Sequence, residues 1–235
     1  MLLFLLKVYN VNVHDFRKGN LVIMAEKDNN KFGLKDFLQI AVIFLIAMGI
    51  YYALFTFVLS NDTVSGISMQ PNFENGERVI AVRHAKIERG DVVIVNAPDE
   101  PGAEYIKRVI GMPGDKIVSK NNQIYINGKK ISQPWLTKGF KLTDNEDGFT
   151  GTKYSQTQNF TISSLAKTAN YKKYYTSAQL KEMQKTNRVP KGTYFVMGDH
   201  RSVSKDSRYI GTIAKKNIIG VVKLRYWPLN KIQVY

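Results

Sequence analysis

Residues 37–59 are 23 consecutive positions without a charge, and Gln39 is the only strongly polar side chain among them. As a helix this run rises about 34 Å, enough to cross a hydrocarbon core of roughly 30 Å with some tilt. One helix therefore belongs in lipid, and the 176 residues after it must build their own water-facing core. The run exceeds the roughly 7–15 apolar residues of a cleaved leader, and no small-x-small site follows it directly, so it reads as an uncleaved single-pass anchor. Lys27, Lys31 and Lys35 precede it, whereas no Lys or Arg occurs from 60 to 77. The positive-inside rule then predicts a cytoplasmic N-terminus and an extracellular remainder, since long translocated domains escape that rule.

Residues 1–36 read as a polar, basic cytoplasmic segment, and its one apolar patch, residues 2–6, is too short to span a bilayer. We expect translation to start at Met24, which is followed by Ala-Glu-Lys-Asp-Asn-Asn-Lys. Intact mass of the purified protein checks this; a species retaining Met1 or Leu2 refutes it.

Beyond Glu77 the pattern changes to short Val/Ile-rich runs separated by Gly, Pro and Asp, the signature of strands and turns. Strands are expected at 79–83, 91–95, 105–110, 116–119, 192–197 and 218–226, the last stopped by Trp227-Pro228. Residues 123–131 read as a hairpin with Asn127-Gly128 at its tip. Residues 134–190 are polar and poor in strand runs, and we read them as an inserted cap, partly mobile and partly helical, with Thr176 and Gln179 forming a capping box. The predicted fold is thus mostly β: an N-terminal transmembrane helix, then an antiparallel β core over 60–133 and 191–235, interrupted by the cap.

The net charge is +15, of which residues 60–235 carry 28 Lys/Arg against 15 Asp/Glu. Such a field favours anionic partners. The cations are scattered and no nucleic-acid motif occurs, so membrane lipid is the expected partner and nucleic acid is not. The absence of cysteine removes disulfides, thiolate metal sites and thiol catalysis, and His14, His84 and His200 lack metal-ligand spacing. No metal or cofactor is expected.

The chemistry centres on Ser65-Gly66-Ile67-Ser68-Met69-Gln70-Pro71. A serine nucleophile needs a sharp, held turn, which Gly66 and Pro71 can bracket, and a base to take its proton. Alone, this stretch is also an ordinary loop. His200 beside Asp199 suggests a Ser-His-Asp triad, but neighbours on an extended strand point to opposite faces. Lysine is the other option. Its free pKa of about 10.4 must fall by roughly three units, which burial of the amine can impose. Lys107, within Tyr105-Ile106-Lys107-Arg108-Val109-Ile110, has the apolar neighbours for this, although by itself the stretch also reads as a solvated strand face.

Taken in order, the Ser68 heptapeptide, Gly90-Asp91-Val92-Val93, residues 107–115 and residues 198–208 resemble bacterial type I signal peptidases of the Gram-positive kind. The likeness runs from the anchor to Pro228 and is weakest over 134–190. It implies a Ser/Lys protease that removes signal peptides from exported preproteins after small-x-small sites. Residue by residue, it implies Ser68 as nucleophile, Lys107 as general base, Ser204 as the serine that orients the lysine, Asp206 and Arg208 as a framework pair, and Asp199 as a structural acid. Ile67, Glu104, Tyr105 and Ile106 are expected to bind substrate along the strand edge. Gly66 stands where some members carry an oxyanion-stabilising serine, leaving more of that role to the Ser68 N–H. Ser202-Val203 replaces the usual Asp-Asn, and His200 stands where Asn is common. Met69, Phe73, Pro134 and Trp135 form either an apolar surface that dips into the bilayer or ordinary core packing.

Two other readings share parts of this pattern. A self-cleaving Ser/Lys repressor keeps the dyad but is cytoplasmic, which the anchor opposes. A membrane-tethered, non-catalytic pilus or secretion assembly factor keeps the fold but has no need of Ser68, Lys107 and Ser204 together.

Overall fold

The structure is a computed structural model that describes residues 33–136 and 155–235. The expectations for Met24, for the lysines at 27 and 31, and for 137–154 of the cap lie outside the described residues.

Helix α1 (Leu34–Ala53) begins where the Asp36 carboxylate accepts the Gly33 N–H at 3.0 Å, an acid placed at the positive end of the helix dipole. It continues as a π-helical turn, Leu54–Val58, and none of its residues is buried. Leu34–Val58 has a mean hydropathy of 2.3 over its most apolar window, long and apolar enough to cross a membrane. The expected end at Leu59 needs correction: Leu59 opens strand β1 (Leu59–Thr63). Leu-Ser-Asn-Asp-Thr has no alternation to announce a strand. Pairing along its whole length with β2 (Arg78–Val82), from Leu59↔Val82 to Thr63↔Arg78, supplies what local propensity lacks.

The compact unit from Tyr52 onward is built on two antiparallel sheets. The first contains β1, β2, β3 (Val92–Asn96), β4 (Glu104–Gly111), β9 (Thr193–Met197), β10 (Ile213–Ala214) and β11 (Ile218–Trp227), in the order β1-β2-β11-β3-β4-β9-β10, with β12 (Gln233–Val234) on β11. The five longer strands after β1 fall within a residue or so of their expected positions. Apolar side chains from this sheet feed two clusters, one containing Val79, Val92, Ile94 and Ile106, the other Val93, Val95, Val109 and Val196. β4 is buried from Ile106 to Gly111 without interruption, so that stretch presents no solvated face, while Glu104 is exposed and Tyr105 half-buried.

The second sheet has the order β7-β6-β5-β8, from β5 (Ile117–Lys120), β6 (Gln123–Ile126), β7 (Lys129–Lys130) and β8 (Phe160–Thr161). Asn127 (φ 51°) and Gly128 (φ 83°) turn the β6–β7 hairpin, both in the left-handed region that such a tight turn requires. β8 comes from the expected insertion and pairs Thr161 with Val118, so the cap is joined to the strands before it. Its helices are α2 (Ile162–Leu165), α3 (Ala169–Lys172) and α4 (Ser177–Thr186), and the Thr176–Gln179 capping box forms in both directions. Leu180 and Met183 of α4 pack with Ile117, Ile124, Phe160 and Phe195 in one core.

Met69 and Phe73 are fully buried in the core of the first sheet, which excludes them from a membrane-facing surface. Pro134 is exposed, and Trp135 is half-buried with its ring 4.7 Å from the Arg108 guanidinium. Outside the apolar helix, the exposed large apolar side chains among the described residues are Trp227, Leu229, Ile232 and Val234.

Candidate active site

The loop between β1 and β2 carries Ser68, and its shape follows from how its ends and its two apolar residues are held. Val64 N–H donates to the Glu77 carbonyl (2.8 Å) and Gly76 N–H to the Val64 carbonyl (2.9 Å), closing the loop at its base. Gly66, at φ 78°, donates its N–H to Asn75 Oδ1 at 3.0 Å. Met69 and Phe73 plug into the core beneath, and Phe73 N–H closes a turn on the Met69 carbonyl at 3.0 Å. Phe73 stacks on Tyr235 at 5.0 Å, and Arg225 holds the loop from below through the Asn72 carbonyl (2.8 Å) and Glu77 (2.9 Å). Ser68 is thereby left half-buried at the top of the turn.

Lys107 reaches it from β4. Its Nζ lies 2.8 Å from Ser68 Oγ, and the side chain is almost wholly buried. Burial depresses the amine to about 8, against the opposing pull of Asp206, Asp199 and Asp99. Since 1.36 kcal/mol corresponds to one pKa unit, this is on the order of 3 kcal/mol working against the ammonium form.

The loop after β9 supplies the frame. Gly198 N–H donates to Asp206 Oδ2 at 2.9 Å, His200 N–H to the Ser68 carbonyl at 3.0 Å, and Ser204 N–H to the His200 carbonyl at 3.0 Å. A methyl group on Gly198 would sit 2.4 Å from the Ser68 carbonyl oxygen, so this loop and the Ser68 turn touch backbone to backbone. Asp206 caps α5 (Ser207–Ile210) and is gripped by Arg208 through two contacts of 2.8 Å. Burial pushes the Asp206 carboxyl up, but Arg208 and the amide donors together outweigh it and hold it below the usual range. Asp199 is held by Arg108 at 2.8 and 2.6 Å and by Asn72 Nδ2 at 2.8 Å. Both acids are thus committed to arginines, as buried carboxylates must be.

His200 does not complete a triad with Asp199. Its Nδ1 lies 3.2 Å from the Ile67 carbonyl, and Asp199 is spent on Arg108 and Asn72. Ser204 also differs from expectation: its Oγ is buried without a hydrogen-bond partner, packed toward Gly198, and the lysine's short contact goes to Ser68 instead.

A cleft of about 510 Å³ opens over the dyad. Ser68, Lys107, Ile67, Glu104, Tyr105 and Ile106 all line it, whereas Gly66 and Met69 do not. Sequence reasoning missed Asp62, Thr63 and Val64 in its wall, because β1 was hidden at the end of the anchor, and also Val203 and Lys205. It missed Asn72, which ties Asp199 to the Trp135 carbonyl (2.8 Å), and Arg201, fully buried between the Gly198 carbonyl, Gln133 at the end of the core segment and Thr157 of the cap. A polar residue between apolar anchors, such as Asn72 between Met69 and Phe73, was the available signal. Among the described residues no group of three His, Asp or Glu side chains is placed to hold a metal ion.

A serine held in a turn against a buried amine, on a β scaffold with an apolar helix before it, is the arrangement a serine hydrolase of the Ser/Lys kind requires, and similarity to known proteins gives the class as serine endopeptidase. The family model for "Signal peptidase, peptidase S26" matches residues 37–227. The chain is 36% identical over 203 residues to signal peptidase IB of Staphylococcus aureus, covering 85% of this chain and 94% of that one. It is 34% identical over 211 residues to signal peptidase I of Streptococcus pneumoniae, covering 86% and 98%. Among solved structures, a signal peptidase I from Enterococcus faecalis V583 matches with 30% identity and a TM-score of 0.42, over 58% of this chain and 97% of that chain. The chain belongs to the signal peptidase, peptidase S26, family.

Proposed function

We propose that this protein removes N-terminal signal peptides from exported preproteins, with Ser68 as nucleophile and Lys107 as general base. The observation that carries the reading is the 2.8 Å contact between a buried, depressed amine and a serine hydroxyl on the wall of a substrate-sized cleft. When Lys107 is protonated its Nζ donates to Ser68 Oγ; once neutral, its lone pair accepts the Oγ proton. Oγ then attacks the scissile carbonyl, Lys107 passes the proton to the departing amine, and an ester forms on Ser68. Lys107 next takes a proton from water, whose oxygen attacks the ester; the bond from the acyl carbon to Ser68 Oγ breaks, Lys107 returns the proton to Oγ, and the acid product leaves. The Ser68 N–H makes no hydrogen bond within the described residues and is available to the oxyanion.

An extended substrate pairs with the outer part of β4 at Glu104, Tyr105 and Ile106, a recurrent mode of peptide capture. Ile67, Val79, Ile94 and Ile106 supply an apolar part of the cleft wall, which suits small residues before the cut. Each excess methylene there is worth about 1–3 kcal/mol of discrimination. The N-terminus lies in the cytoplasm and the catalytic unit outside. Membrane lipid is the second partner: Trp227, Leu229, Ile232 and Val234 offer apolar side chains, and residues 116–136 and 155–191 carry eleven Lys or Arg against one acid, Glu182.

The test is cleavage of a detergent-solubilised preprotein by the native protein, Ser68→Ala and Lys107→Ala from pH 6 to 10. Activity lost in both variants, with a native rising limb near pH 8, is the expected result. Activity that survives Lys107→Ala moves the base elsewhere and overturns the reading.

A further inference from the structure

Three carboxylates favour the charged form of Lys107, and they are not held alike. Asp206 and Asp199 are each locked by two contacts to a buried arginine, Arg208 and Arg108. Asp99, in the turn between β3 and β4, is paired instead with the Nζ of Lys205, a side chain 62% exposed while that of Asp99 is 6% exposed. Lys205 stands between Ser204 and Asp206, so this ion pair ties the β3–β4 turn to the loop that frames the dyad. Asp99 also accepts the Tyr105 hydroxyl at 3.3 Å, and Glu100 accepts it at 3.2 Å. Tyr105 lies two residues before Lys107 on β4, hence on the same side of the strand, and its ring centroid is 5.1 Å from Lys107 Nζ. Tyr105 and Lys205 both line the cleft.

We propose that the Asp99–Lys205 ion pair is a positioning device for the peptidase reaction: it pins the Tyr105 ring against the Lys107 amine and closes the outer wall of the cleft. The ring takes the place of water on one side of the amine, and its π face tolerates the ammonium that forms during each proton transfer. The pair also sets the local field. Around Lys107 the charges are Asp206, Asp199 and Asp99, which favour the ammonium, and Arg208, which opposes it. Around the Asp99–Lys205 pair they are Glu100 and the phenols of Tyr105 and Tyr174. Asp99 is the acid among the three whose counter-charge comes from solvent-exposed lysine, so it is the one that substitution can unbalance without emptying the core.

The inference rests on the Ser68–Lys107 reading, and its test separates the two. Preprotein cleavage is followed as kcat/KM against pH for Asp99→Asn, Lys205→Met, Lys205→Arg and Tyr105→Phe, with thermal melts as the folding control. Asp99→Asn should move the rising limb to lower pH, and Lys205→Met, which leaves Asp99 uncompensated, should move it to higher pH. Shifts of roughly one to two units fit a single charge about 6–12 Å away at an effective dielectric near 20. Lys205→Arg should restore the native limb. Tyr105→Phe keeps the ring and should lower the plateau rate while leaving the limb near its native position. A merely structural pair would change the melting temperature and rate without opposite movements of the limb. If both charge variants keep the native limb while Lys107→Ala is inactive, the device is refuted and the dyad stands. If Lys107→Ala remains active, the dyad itself falls, and this inference with it.

Discussion

Gly198→Ala is a one-carbon change that reaches the dyad without substituting either member. A Cβ there would lie 2.2 Å from Ser204 Oγ, 2.4 Å from the Ser68 carbonyl oxygen and 2.5 Å from Ser204 Cβ. The Ser204 hydroxyl can rotate away, but the carbonyl cannot: it is main chain, and it accepts the His200 N–H at 3.0 Å. Ordinary contact therefore requires the Ser68 backbone to move by roughly 1 Å. Misplacement of that size costs about 10²-fold in rate, or about 2.7 kcal/mol on the barrier. The accompanying overpacking costs about 1–3 kcal/mol of stability. Gly66→Ala is the control on the other flank of the serine: its Cβ meets nothing within 4 Å, and only the φ of 78° is unfavourable. We expect about 1–2 kcal/mol of backbone strain there and a rate within roughly tenfold of native. The assay is single-turnover cleavage of a preprotein in detergent, beside thermal denaturation of each variant. Gly198→Ala cleaving within about threefold of the native rate, with an unchanged melting temperature, would refute the backbone-contact argument.

Three further outcomes follow from burial. Lys107 titrates at about 8 in the folded protein against 10.5 as a free side chain, so folding disfavours its proton; this penalty is complete below pH 8 and vanishes as pH rises through 10.5. Lys107→Met should accordingly gain about 3 kcal/mol at pH 7 and almost nothing near pH 11, read from denaturant unfolding at the two pH values. Arg208→Met leaves the buried Asp206 carboxylate with amide donors only, and should lose about 3–5 kcal/mol in the same measurement. Ser204→Ala removes a hydroxyl with no partner and should leave stability within about 1 kcal/mol; loss of cleavage without loss of stability would assign that hydroxyl to orienting Lys107 during turnover.

Much of this was legible because local and global preferences agree. The 91–95 and 105–110 runs and the Asn127-Gly128 turn read within a residue of how they fold, and Thr176 with Gln179 announced a helix that formed with its cap. What was not legible depends on partners distant in sequence. Leu59 to Thr63 becomes a strand only because β2 is there to receive it, and the cap pairs with the strands before it through two residues, Phe160 and Thr161, too few to carry a pattern. Of the candidate site, Ser68 and Lys107 were singled out by the order of their motifs rather than by residue type, while burial of β4 from Ile106 onward, which depresses the amine, arises from packing. Asn72 and Arg201 escaped notice for the same reason: each satisfies a polar need created 60 or more residues away, Arg201 adding contacts with Thr157, 44 residues away, and with the nearby Gly198 carbonyl.

The burial of Lys107 also gives the protein a chemical handle. Near pH 8 about half of its population carries a free lone pair, whereas a lysine at the usual 10.4 has only ~0.4%. No cysteine competes for an electrophile. A small acylating or carbonyl reagent shaped to the cleft would meet this amine and the Ser68 hydroxyl 2.8 Å apart, and one with two reactive centres at that spacing would cross-link them. The geometry suited to passing a proton is thus also a template for selective covalent capture.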